Sequence, residues 1–160
     1  MKKFLIGVKN LINQILFKFG YRISKINNTS QLVKIYKYKD YNEYKETQTF
    51  FNKKKIDKVW ADENTLRIIC NFLKDNLILD KIKGLCHGSR NGFEQKFFNN
   101  ELQNAEVLGT DISDTATNFE NSIVHDFHDK KKEWVDNFNF IYSNSLDQSY
   151  DPKKALNTWL

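Results

Sequence analysis

The residues best suited to chemistry in this sequence sit at the ends of four short apolar runs. The first run passes into Cys86 to Gly92 (CHGSRNG). There Gly88 and Gly92 permit a tight turn and a close approach of backbone to a ligand. His87, Ser89 and Arg90 lie in the same turn. The second run ends at Asp111, followed by Ile112 and Ser113. Asp111 lies about 20 residues beyond the glycine turn, the spacing at which a carboxylate accepts hydrogen bonds from both hydroxyls of a ribose. The third run ends in HDFHD, His125 to Asp129. In it Asp126 is placed to accept the exocyclic amine of an adenine, while Phe127 offers a backbone N–H and an apolar face. The fourth, FNFIYSNSLD from Phe138 to Asp147, closes on the small polar residues Ser143, Asn144 and Ser145. Each segment alone has a plainer reading: Asp111 and Asp126 as turn residues, His87 as a hydrogen-bonded loop histidine.

Positioning these residues requires strands that alternate with helices. The runs Ile82–Cys86, Glu106–Thr110, Ser122–His125 and Phe138–Ser143 read as strands, and Phe93–Leu102 and Lys131–Asn137 as helix-compatible segments between them. That order implies βαβ units and a parallel sheet, with ligands at the carboxyl ends of the strands. Ahead of the sheet, Asp62 to Asp80 is the clearest helix. Asp62 serves as N-cap, Glu63 sits in the first turn, and Leu66, Ile69, Cys70, Leu73 and Leu77 form one apolar stripe that makes Cys70 a core residue. The closing stretch Lys153–Leu160 reads as a further helix.

The 160 residues suit one domain with an appendage, and a composition 40% hydrophobic and 14% aromatic is that of a folded chain. The net charge of +5 is unevenly spread. Residues 1–60 carry 14 Lys and Arg against 4 Asp and Glu, and residues 61–160 carry 11 against 16. A uniformly basic nucleic-acid binder does not divide in this way. The expectation is a basic N-terminal segment over 1–60 and the domain proper over 61–160. Two cysteines are too few for a disulfide framework and no cleavable signal sequence is visible, so a cytoplasmic setting is expected.

Within the basic segment, Phe4, Leu5, Val8, Leu11, Ile12, Ile15, Leu16 and Phe19 recur at helical spacing, with lysines mostly opposite and Gly20 at the C′ position. Such a helix either docks on its own domain or attaches, through residues 1–20, to a partner or to an anionic membrane surface. It is too short to span one. The Lys- and Tyr-rich stretch Gln31–Lys58 reads as a partly exposed linker with a short strand at Leu32–Tyr38. Binding of single-stranded nucleic acid there is the less favoured reading.

In order and spacing the four strand-end segments resemble the class I S-adenosylmethionine-dependent methyltransferases, over roughly Ile82 to Leu160. The resemblance implies an α/β Rossmann-like parallel sheet with S-adenosylmethionine as cofactor. It implies Gly88 and Gly92 in the cofactor loop with His87, Ser89 and Arg90, and Asp111 with Ile112 at the ribose. Asp126 and Phe127 fall at the adenine, and Ser143, Asn144 and Ser145 beside the methyl donor. Arg90 stands where the family has its middle glycine, and Cys86 where it has an acid. The family continues through three further strands, so a fragment, a completing chain, a homo-oligomer or a minimal domain is expected.

The acceptor class expected is a small molecule or a saccharide, with His87 or Asp147 as general base where the acceptor needs one. His125 and His128 have no second pair at zinc-like spacing, so no metal is expected. Two other readings stand beside transfer: a non-catalytic or truncated binding module, and a nicotinamide-dependent oxidoreductase. Against the latter, residues 88–92 do not satisfy G-x-G-x-x-G.

Overall fold

Four apolar runs with β-branched and aromatic residues pair into a four-stranded sheet, all parallel, in the order β3-β2-β1-β4. The strands are β1 (Ile82–His87), β2 (Ala105–Asp111), β3 (Ser122–Val124) and β4 (Phe140–Ser143). The computed structural model describes residues 2–19, 21, 37–77 and 80–160. Contacts gather them into two units, Met1–Tyr36 and Lys37–Leu160. The first contains α1 (Lys2–Phe17), whose end is closed by Tyr21 N donating to Leu16 O. Gly20 and the Leu32–Tyr36 part of the expected strand lie outside the described residues. Among those described, no helix is long and apolar enough to cross a membrane.

The second unit holds the sheet together with α2 (Tyr41–Lys54), α3 (Glu63–Asn76), α4 (Phe93–Glu101) and α5 (Pro152–Trp159). It is an α/β fold of the Rossmann-like type. Caps set the helix starts: Asp40 accepts from Glu43 N, Asp62 from Thr65 N at 2.8 Å, and Asp151 from Lys154 N at 3.0 Å. The stripe on α3 packs as its periodicity requires, with Leu66 and Cys70 fully enclosed alongside Phe98 of α4 and Cys86 and Val107 of the sheet. Burying each of Leu66 and Phe98 contributes about 1.5–3 kcal/mol. Phe98 also meets the rings of Phe140 and Tyr142 edge-on, at 5.2 and 5.4 Å between centroids.

Side chains alternate across β1. Cys86 enters the core under α3 and α4, and His87 on the opposite face stacks on Trp159 of α5, 5.0 Å away. The sheet is therefore covered on both faces, as parallel sheets require.

Two expectations are corrected. The stretch read as a linker contains α2, whose Tyr44 and Thr47 are buried. That helix belongs to the Lys37–Leu160 unit. Lys131–Asn137 is no α-helix but a single 3-10 turn, Lys132–Trp134, followed by Asp136 at φ 57°, which stops any helical continuation.

Candidate functional site

The chain runs outward through β1, β2 and β3, then returns to place β4 on the other side of β1. A crevice opens where the order reverses, beyond the carboxyl ends of the strands. It is occupied by a cavity of about 310 Å³, within the range of small-molecule sites. Its floor is the turn after β1, with Gly88 at φ 70°, Arg90 at 43° and Gly92 at 76°. A Cβ at Gly88 would stand 2.6 Å from Ser145 Cβ, so only glycine lets this turn pass the end of β4. Arg90, where the resembled family has glycine, takes the left-handed backbone a glycine would adopt more cheaply. It is tied down by Nη1 donating to Lys58 O at 3.0 Å, beside Asn91 Nδ2 donating to Ile56 O at 3.0 Å.

Asp111 ends β2 in the cavity wall. Its Oδ2 accepts from Arg90 N at 3.0 Å, and its Oδ1 accepts from Ser113 N at 2.8 Å and Asn52 Nδ2 at 2.5 Å. Burial raises its pKa and these donors oppose the rise. Asp126 follows β3. Its Oδ1 accepts from His128 N at 2.9 Å and faces His128 Nδ1 at 2.6 Å, and its Oδ2 accepts from Tyr41 OH at 2.9 Å. Burial pushes its pKa up, but the His128 and Tyr41 hydrogen bonds outweigh that and hold it below the usual carboxylate value.

Ser149 Oγ meets His128 Nε2 at 2.6 Å, completing a Ser–His–Asp chain. Ser149 is not among the cavity's walls, and it accepts a further hydrogen bond from Asp151 N. The chain therefore acts as a strut that fixes Asp126, not as a nucleophile device.

Gly88, Ser89, Arg90, Asp111, Ile112, Asp126, Phe127, Asn144, Ser145 and Asp147 all line this one cavity. Three expected residues do not. His87 points to the other face of the sheet, bonded to Thr110 Oγ1 at 2.8 Å through Nδ1. Burial and the neighbouring His125 push its pKa down to about 3, so it stays neutral. Gly92 caps α4. Ser143 Oγ donates to His87 O at 3.0 Å and so fastens β4 to β1.

Sequence reasoning missed the opposite wall. Tyr44, Gln48, Phe51 and Asn52 come from α2, and Lys55, Lys58 and Trp60 from the segment after it. Their spacing of four, three and one residues along α2 is a helical stripe, but one written in Tyr, Gln and Asn rather than in aliphatics. Glu94, in the first turn of α4, was missed as well. Its carboxyl is partly buried and its pKa is raised to about 7, by burial above all.

Among the described residues no cluster of three or more His, Cys, Asp or Glu is arranged to hold a metal. No family model matches the chain, and neither does any curated protein or solved structure.

Proposed function

We propose that the 37–160 unit binds S-adenosylmethionine and passes its methyl group to a small-molecule or saccharide acceptor. One observation carries the reading. A cavity at the carboxyl ends of the parallel strands has Asp111 in its wall, aimed by two backbone N–H groups, those of Arg90 and Ser113. A carboxylate fixed in this way, beside a glycine turn, suits the paired hydroxyls of a ribose. Asp126, held by His128 and Tyr41, and Phe127 next to it supply a second polar group and an apolar surface for adenine.

The sulfonium of the cofactor supplies an electrophilic methyl group. What remains for the protein is alignment, exclusion of water and removal of a proton. Asn144 and Ser145 line the end of β4. Asp147, exposed and oriented by Gln148 Nε2 at 2.8 Å, takes the proton where the acceptor is a hydroxyl. His87, neutral and on the far face, has no part in that step. On the opposite rim, Trp60 is 64% exposed beside Lys55 and Lys58, an aromatic and cationic platform suited to a polar acceptor such as a sugar.

Titration calorimetry with S-adenosylhomocysteine on the native chain and on Asp111→Ala tests the reading. Loss of charge-assisted bonds to the ribose predicts about a 10- to 100-fold weaker complex in the variant. Equal affinities in the two proteins would overturn the assignment.

A further inference from the structure

The methyl-transfer reading leaves α1 without a role. Val8, Leu11, Ile12 and Ile15 fall within one arc of this helix, about 100° wide. All four are exposed, Leu11 to 61% and Ile15 to 55%. The half-buried positions are Asn13, Leu16 and Phe17, which fall on another side of the helix. Among its described side chains, α1 therefore leaves its aliphatic side open and covers a more mixed one. A helix that packs only within its own protein does the reverse, because burial of the apolar stripe is what stabilises it.

The charge around the arc indicates what covers it. Residues 1–39 carry eight lysines and one arginine, with no aspartate or glutamate. Lys2, Lys3 and Lys9 belong to α1, and the exposed Lys18 directly follows it. Tyr21, also exposed, adds a ring with an apolar body and a polar tip. An aliphatic arc within a stretch that is only cationic fits a surface that is apolar beneath and anionic above. A second copy of this chain fits poorly, since it would bring the same nine cations against these. The helix is not long and apolar enough to cross a bilayer, which leaves it in the plane of one.

We propose that α1 lies at the boundary between the headgroups and the acyl chains of an anionic membrane. Its 8–15 arc enters the acyl region, and the cations of residues 1–39 meet the headgroups. This does not rest on the cofactor reading. The two attractions act together: the arc of one short helix holds weakly, and each cation near the surface strengthens the attachment about fivefold.

Cosedimentation of the full chain with vesicles tests the proposal. One set is phosphatidylcholine alone, and the other is equal parts of phosphatidylcholine and phosphatidylglycerol. Binding is expected on the anionic vesicles only, and is expected to weaken as salt screens the headgroups. Ile15→Glu puts a carboxylate into the arc and is expected to weaken that binding by about tenfold or more. Lys18→Gln leaves the arc intact, so it keeps the test decisive if Ile15→Glu unwinds α1, and a loss of about fivefold is expected. Equal binding to both vesicle sets, no binding to either by the folded chain, or native affinity in both variants overturns the proposal. A dimer of the native chain in analytical ultracentrifugation that Ile15→Glu dissolves, without vesicle binding, also overturns it and assigns the arc to a contact between copies.

Discussion

Replacing Glu94 by glutamine keeps the shape of the side chain and removes its ionisation, so it isolates the cost of holding this carboxyl in the cavity. The folded protein raises its pKa from 4.5 to about 7. At 1.36 kcal/mol per tenfold, that corresponds to about 3 kcal/mol against the ionised form, which the open side of the cavity reduces to roughly 2. The sign follows from linkage. A carboxyl with a raised folded-state pKa binds protons more tightly when folded. Its contribution is fully present below pH 4.5 and is lost as pH rises through 7. Urea denaturation of the native chain and Glu94→Gln at pH 5 and pH 8 reads the difference, and comparing the pair cancels titration of the other groups. The variant is expected to gain about 2 kcal/mol over the native chain between the two pH values. A stability difference that stays flat from pH 5 to pH 8 would mean instead that the Glu94 carboxyl is solvated in the folded protein.

Two further perturbations separate the parts of the site. Gly88→Ala places a methyl group against Ser145 on a backbone at φ 70°, and is expected to cost roughly 1–3 kcal/mol in urea denaturation and to abolish binding of S-adenosylhomocysteine. A native midpoint with native affinity would contradict the geometry of the turn. His87→Ala removes the bond to Thr110 and the stack on Trp159, so the urea midpoint falls. Because the imidazole faces away from the cavity, the affinity of the folded protein for S-adenosylhomocysteine is expected to stay at the native value, and a large loss would return His87 to the site.

Much of the sheet was legible because its strands read as short, mostly apolar runs, even with Lys83 inside β1 and Glu106 inside β2. Ile82, Leu85 and Val107 could be placed from hydrophobicity alone, and the residues ending each run then fell at one edge of the sheet. The α3 stripe was legible for the same reason, with Leu66, Cys70 and Leu73 inward. α2 was not, because its inner face is aromatic and polar rather than aliphatic and borders the cavity. Tyr44, Gln48 and Asn52 point inward there, and a search for aliphatic periodicity reads them as surface. His87 misled for a complementary reason. It directly precedes the glycine turn, but strand alternation sends its ring to the opposite face from Cys86. Glu94 was hidden by an ordinary role, since an acid in the first turn of a helix is usually explained by the helix dipole. Only the fold shows that its carboxyl shares a cavity with Asp111 and Arg90.

Equilibrium binding of radiolabelled S-adenosylmethionine to the native chain shows whether the cavity above Gly88 receives the cofactor. The expected result is saturable binding of one molecule per chain, displaced by S-adenosylhomocysteine and not by NAD. Absence of saturable binding by the folded chain, or displacement by NAD as effective as by S-adenosylhomocysteine, would contradict it.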